Sequence, residues 1–123
     1  MPTLIALLSS GKGTWSEVSR LMQAQPWSKV FLVTNSFGKE TFTSVPPNAE
    51  LIVLDFMRET QDIAEEIKKQ LHGKVNDFEV AINMASGNGK EHMAMLEAIM
   101  EMGLNFRLVT LRNGGMDVLG LRK

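Results

Sequence analysis

The 123-residue sequence has no cysteine, which excludes a disulfide framework, a thiolate zinc site and a cysteine nucleophile. It has two histidines, His72 and His92, so too few ligands remain for a preformed two-metal hydrolytic site, and no metal or cofactor is expected. An excess of charge is missing as well. Thirteen Lys and Arg against fourteen Asp and Glu leave a formal charge of −1, so no overall positive field gathers duplex nucleic acid or an anionic membrane surface. Any anion site must be local. No apolar run is long enough to span a bilayer, and MPTLIALLSSGKGT has neither a basic segment before its apolar run nor a small-residue cleavage pattern after it. It reads as a first strand, and the expected compartment is the cytosol.

What is present fits one ordinary globular domain over residues 1–123, with 44% hydrophobic and 22% charged residues and no repeat or low-complexity segment. Leu4–Leu8, Val30–Thr34, Leu51–Leu54, Val80–Met84 and Phe106–Leu111 are apolar runs of strand length, continuous rather than alternating, as in strands buried on both faces. Helical spacing separates them. Trp15, Val18 and Met22 define a helix that stops before Pro26, with Thr14 and Glu17 spaced as a capping box. Asn35 to Gly38 reads as a polar turn, with one helical turn over Lys39–Phe42. Ile63, Ile67 and Leu71 repeat along one face of Thr60–Leu71, with Glu65, Glu66, Lys68 and Lys69 on the other. A Met- and Ala-rich helix ends at Gly103, and Asn113-Gly114-Gly115 turns the chain into a short antiparallel edge strand over Met116–Leu121. Alternation of buried strands and helices predicts an α/β fold, a Rossmann-like three-layer sandwich with a mostly parallel sheet and a C-terminal antiparallel edge hairpin.

In such sheets ligands gather at the carboxyl ends of the strands, where the strand order reverses. Two glycine-rich loops are the candidates. The loop after the first strand, Ser9-Ser10-Gly11-Lys12-Gly13-Thr14, sets hydroxyls, flexible backbone and an ammonium at a helix N-terminus, an arrangement that suits phosphate. It shares its Gly-Lys-Gly-Thr with the end of a Walker A loop, but Ala6 stands where that motif needs its first glycine, and Ser16 stands where a dinucleotide fingerprint needs its third. A merely structural turn is the competing reading. After the fourth strand, Asn83, Ser86, Gly87, Asn88, Gly89, Lys90 and His92 combine close backbone approach, a point charge and directional hydrogen bonding. Asn35, in the turn after the second strand, completes the candidate ligand set. The competing reading of Lys90 is a solvated first-turn lysine, and that of His92 an exposed or capping residue. Met93, Met95, Met100 and Met102 read as core or dimer-interface filling, with Met95, Ala98, Ile99 and Met102 suggesting an apolar dimer face.

The run AINMASGNGKEHMAMLEAIMEMG resembles the signature of CARF domains, the CRISPR-associated Rossmann-fold sensors. In that family strand four carries an asparagine, here Asn83, and leads into a Gly-rich, hydroxyl-bearing loop, here Ser86-Gly87-Asn88-Gly89, that ends in Lys or Arg, here Lys90. The loop Ser9–Thr14 resembles the ligand loop after strand one of that family. The likeness spans most of the chain in topology and two loops in sequence, with Gly-Asn-Gly where Gly-Gly-Thr is more usual. It implies a homodimer holding a cyclic oligoadenylate across its two-fold axis, both loops of each protomer on phosphates and riboses. Some single-domain relatives are metal-independent ring nucleases, and the residues are compatible with that chemistry. A ribose 2′-OH can attack the neighbouring phosphate when Lys90 stabilises the developing charge and Ser10 orients the ribose, with Ser9 and Lys12 as their stand-ins. Three readings stay open here: a cyclic-oligonucleotide binding module, a ring nuclease using the same pocket, and a mononucleotide- or phosphate-binding Rossmann domain unrelated to CRISPR signalling.

Overall fold

The computed structural model describes residues 2–9, 12–42 and 45–120. In chain order the elements are β1 (Thr3–Leu7), α1 (Trp15–Ala24), β2 (Lys29–Thr34), α2 (Ser36–Thr41), β3 (Ala49–Val53), α3 (Thr60–Leu71), β4 (Glu79–Asn83), α4 (Gly89–Glu101), β5 (Asn105–Arg112) and β6 (Gly115–Val118), with a 3-10 turn over Lys12–Thr14 ahead of α1. The strands form one six-stranded sheet in the order β3-β2-β1-β4-β5-β6. β1 to β5 pair in parallel and β6 runs antiparallel to β5. The fold is the expected α/β sandwich.

The central strands explain the layers. Leu4 and Ala6 of β1, with Leu8 beyond it, pack with Val30, Leu32 and Ala81 against Trp15, Val18 and Leu21 of α1. Ile5 and Leu7 point the other way, with Phe31, Val33, Ile52 and Ile82, onto Ile63, Ile67 and Leu71 of α3 and Ala94, Met95, Ala98 and Ile99 of α4. A strand covered on both faces has no polar side, hence the continuous apolar runs. Each fully buried Leu or Ile here contributes roughly 1.5–3 kcal/mol of transfer free energy.

Three local expectations are corrected. Asn35 to Gly38 is not a free turn: the Asn35 side chain accepts from the Gly38 backbone N–H and starts α2 at Ser36 rather than at Lys39. A side chain at Gly38 would strike Thr34 Oγ1, so glycine lets this short helix sit on the end of β2. Met95, Ala98 and Ile99 are fully buried in the core, not on a dimer face, because α4 needs that stripe to cover β4 and β1. The exposed apolar residues of α4 are Met93 and Met100. β3 and β6 each begin and end earlier than their apolar runs suggest.

Candidate functional site

The strand order reverses between β1, which continues to β2, and β4, which continues to β5, so the loops leaving β1 and β4 lie side by side. They are joined. The Ser9 N–H donates to Ser86 Oγ at 2.7 Å, and the Ser9 carbonyl accepts from the Trp15 indole N–H at 3.0 Å. Ser86 is fully buried, so its hydroxyl acts as an internal tie. Gly87 lies at φ +97, and a Cβ on it would stand 2.5 Å from Leu7 Cδ2 and 2.8 Å from Glu91 Oε1. Only glycine lets the second loop settle on the end of β1.

From Gly87 the chain enters α4 through a capping box: Asn88 Oδ1 accepts from the Glu91 N–H at 3.0 Å, and Glu91 Oε1 accepts from the Asn88 N–H at 3.2 Å. This pairing follows the usual x-x-Glu spacing after a capping residue. The spacing is legible in Asn88-Gly89-Lys90-Glu91, and the cap engages the Asn88 side chain that the sequence assigns to a ligand. With Oδ1 engaged, the Asn88 amide NH2 is the group left for a ligand. His92 Nε2 lies 2.8 Å from the Ser86 carbonyl. A carbonyl only accepts, so Nε2 carries the proton and the ring braces the loop.

The capping box expected at α1 is absent. Thr14 already has helical backbone angles and makes no side-chain cap, because the 3-10 turn feeds the chain into the helix. The Glu17 carboxylate instead accepts from Asn83 Nδ2 at 2.9 Å and from Thr110 Oγ1 at 3.0 Å. Asn83 shares its sheet face with Ala81 and, across the pairing, Ala6. It is the polar residue in an apolar layer and needs internal partners. It finds Glu17, the Val109 carbonyl at 2.9 Å and the Ala85 N–H at 3.3 Å. Its polar atoms knit α1, β4 and β5 together beneath the loops.

Above these ties a cleft of about 750 Å³ opens at the carboxyl ends of β2 and β3, lined among others by Asn35, Phe37, Asp55, Arg58, Asn88 and Lys90. Its size suits one nucleotide. Lys90 Nζ donates to the neutral Arg58 carbonyl at 2.8 Å across the cleft edge and forms no ion pair among the described residues. Three of the sequence-assigned residues, Asn35, Asn88 and Lys90, therefore meet here. Asn83 and His92 instead border a smaller 270 Å³ hollow on the β5 side, and Asn83 and Ser86 are buried. Gly13 and Gly89 are exposed, Ser9 and Thr14 half-buried. Ser10, Gly11 and the side chain of Lys12 lie outside the described residues.

A second large hollow, about 630 Å³, lies between α3 and α4 and is lined by Arg58, Lys68, Lys69 and His72 with Asp62, Glu65, Glu66 and Glu101. Its central cation is already held. Glu101 and Glu65 hydrogen-bond the Lys68 ammonium and raise its pKa. Lys68 in turn holds the Glu101 carboxyl below its ordinary value, while the hydrogen bond to Glu101 raises that of Glu97.

No protein-family model matches the sequence, and no curated protein matches it. Among the described residues no helix is long and apolar enough to cross a membrane, and no group of three or more His, Asp or Glu side chains is placed to hold a metal.

Proposed function

We propose that the protein is a CARF-like binding module that takes the phosphate and ribose of an adenylate, presented as a cyclic oligoadenylate, at the carboxyl end of the sheet. The observation that carries this reading is the loop after β4: Ser86 ties it to the loop after β1, and Asn88 and Lys90 open from it into the nucleotide-sized cleft, whose described lining includes no residue of the β1 loop. At the start of α4 the Gly89 and Lys90 N–H groups precede the first residue that the cap satisfies, so a phosphate oxygen finds backbone donors beside the Lys90 ammonium. Phosphate replaces a neutral carbonyl acceptor on Lys90 with an anionic one, so the hydrogen bond becomes an ion pair.

Lys90→Ala is expected to weaken binding of cyclic tetra-adenylate by about 1.5–3 kcal/mol, roughly 10- to 150-fold, and to change stability by less than about 0.5 kcal/mol. Isothermal calorimetry and chemical denaturation measure the two quantities. Unchanged affinity together with a large loss of stability contradicts the assignment.

A cyclic ligand on a two-fold axis requires a dimer. In place of the buried stripe, Met93 and Met100, with Leu96 between them, supply an apolar surface on α4 beside Thr60 and Gln61. The Met93→Lys, Met100→Lys double variant is expected to shift the mass seen by light scattering from twice 13.7 kDa to the single chain. A wild-type monomer with and without the ring rules out the symmetric ligand. It favours the second reading, a mononucleotide site whose phosphate meets Lys90 and the first turn of α4 in the same cleft. Recovery of intact ring after incubation in EDTA distinguishes binding from metal-independent cleavage, which yields linear products with a 2′,3′-cyclic phosphate.

A further inference from the structure

Of the seven asparagines in the chain, Asn88 and Asn113 are followed by glycine. This pair of residues is open to loss of the side-chain amide, since no β-carbon on the glycine hinders its backbone nitrogen from reaching the asparagine Cγ. The fold treats the two pairs differently. Asn88 is closed: its Oδ1 accepts from the Glu91 N–H at 3.0 Å and its own N–H donates to Glu91 Oε1 at 3.2 Å, so the cap must open before Cγ can turn towards the Gly89 nitrogen.

Asn113 is open. With φ +53, and Gly114 at φ +81, it forms the two-residue loop between β5 and β6 in the type I′ geometry that matches the twist of a hairpin. The last pair of the ladder is Arg112 and Gly115, so the Gly114 N–H lies outside it and makes no backbone hydrogen bond among the described residues. Asn113 is exposed and its side chain makes no hydrogen bond among the described residues. A β-carbon built on Gly114 meets nothing within 4 Å, so water reaches both reacting groups.

We propose that Asn113-Gly114 is a self-modifying site, at which the chain exchanges an amide for a carboxylate and acquires an isoaspartate that frees the edge strand β6. The Gly114 nitrogen loses its proton to solvent and attacks Asn113 Cγ. A new N–C bond forms, the Cγ–Nδ2 bond breaks, and the amide takes up a proton from solvent and leaves as ammonia. Water then opens the succinimide ring. Opening at Cγ gives aspartate, whereas opening at the backbone carbonyl carbon gives isoaspartate, whose main chain runs through Cβ and Cγ and is longer by a methylene. A two-residue loop cannot take in that carbon without moving the Arg112–Gly115 pair. β6 is a four-residue strand at the edge of the sheet with β5 as its one neighbour, so nothing on its far side resists the slip. Met116 and Val118 then leave the apolar layer that they share with α1.

The test keeps the purified full chain in mildly alkaline, heavy-oxygen water, native and in urea, and follows both asparagines by mass spectrometry of proteolytic peptides. The native chain is expected to convert Asn113 roughly tenfold faster than Asn88, the factor that opening a helix cap imposes, and urea is expected to remove the difference. In the isoaspartate form, purified away from the aspartate form, the Leu119 N–H, which donates to the Leu108 carbonyl at 2.8 Å, is expected to exchange with solvent roughly tenfold faster than in the unconverted chain. Asn113→Asp, which carries the same charge on a backbone of normal length, is expected to keep the Leu119 protection. Equal native rates at Asn113 and Asn88, or an unconverted Asn113 in a native chain whose urea-unfolded form converts, overturns the site. Leu119 protection retained in the isoaspartate form, or lost equally in Asn113→Asp, overturns the release of β6.

Discussion

Gly87→Ala is expected to destabilise the protein by about 2–4 kcal/mol, the sum of roughly 1 for a β-carbon at positive φ and about 1–3 for forcing it into an occupied site. The site is occupied by Leu7 Cδ2 at 2.5 Å and Glu91 Oε1 at 2.8 Å. Leu7 is fixed in the core and Glu91 is held by the cap it completes, so relief on either side gives up packing or the start of α4. The matched control is Gly89→Ala, two residues on. There the added carbon meets nothing within 4 Å and φ is not positive, so the expected effect is neutral to slightly stabilising. Opposite signs in urea denaturation support the account of the loop. Equal effects at the two glycines contradict it.

Asn83→Ala is expected to cost about 2–4 kcal/mol, because it strips hydrogen bonds from the buried Val109 carbonyl and from Ala85 and Glu17 in one step, at roughly 1–3 kcal/mol for each buried group left unsatisfied. Asn83→Asp tests the direction of those bonds. Both Glu17 Oε2 and the Val109 carbonyl accept from Asn83 Nδ2, and a carboxylate placed there offers them only another acceptor. It is expected to be at least as destabilising as alanine in thermal or chemical unfolding. Wild-type stability of Asn83→Asp contradicts the network. Since Asn83 lies beneath both loops, either variant is expected to weaken ligand binding through the loops rather than by a lost ligand contact.

The pair Glu17 and Asn83 also shows where sequence reasoning stops. Thr14 and Glu17 have the spacing of a capping box, a pattern within four residues, but the partners that decide the Glu17 carboxylate lie 66 and 93 positions away. A local pattern was overridden by tertiary hydrogen bonding, while the same type of pattern at Asn88 and Glu91 holds. α3 spans Thr60–Leu71 as its apolar spacing predicts, since an amphipathic helix carries its packing plan in its own period. α2 starts earlier than its sequence pattern predicts because what permits it, a glycine under Thr34, is a contact rather than a pattern. On the site, the two loops were legible as glycine-rich breaks after buried runs. Asp55 was legible only as a carboxylate at a strand end. Phe37, Met57 and Arg58 carry no local signal, because they become neighbours only when β2, β3 and α4 converge on one cleft. In the other direction, Ser86 and Asn83 have the residue types of ligand groups and are buried ties.

The central claim is that an adenylate binds where the β4 loop and the start of α4 meet the ends of β2 and β3, and a backbone amide NMR titration with cyclic tetra-adenylate tests it most directly. The account predicts saturable shifts concentrated at Asn35–Phe37, Asp55–Arg58 and Asn88–Lys90, with the Trp15 indole N–H following through its contact with Ser9 and Phe37. Shifts confined to the hollow between α3 and α4, around Lys68, His72 and Glu101, or no shifts at millimolar ligand, would contradict it.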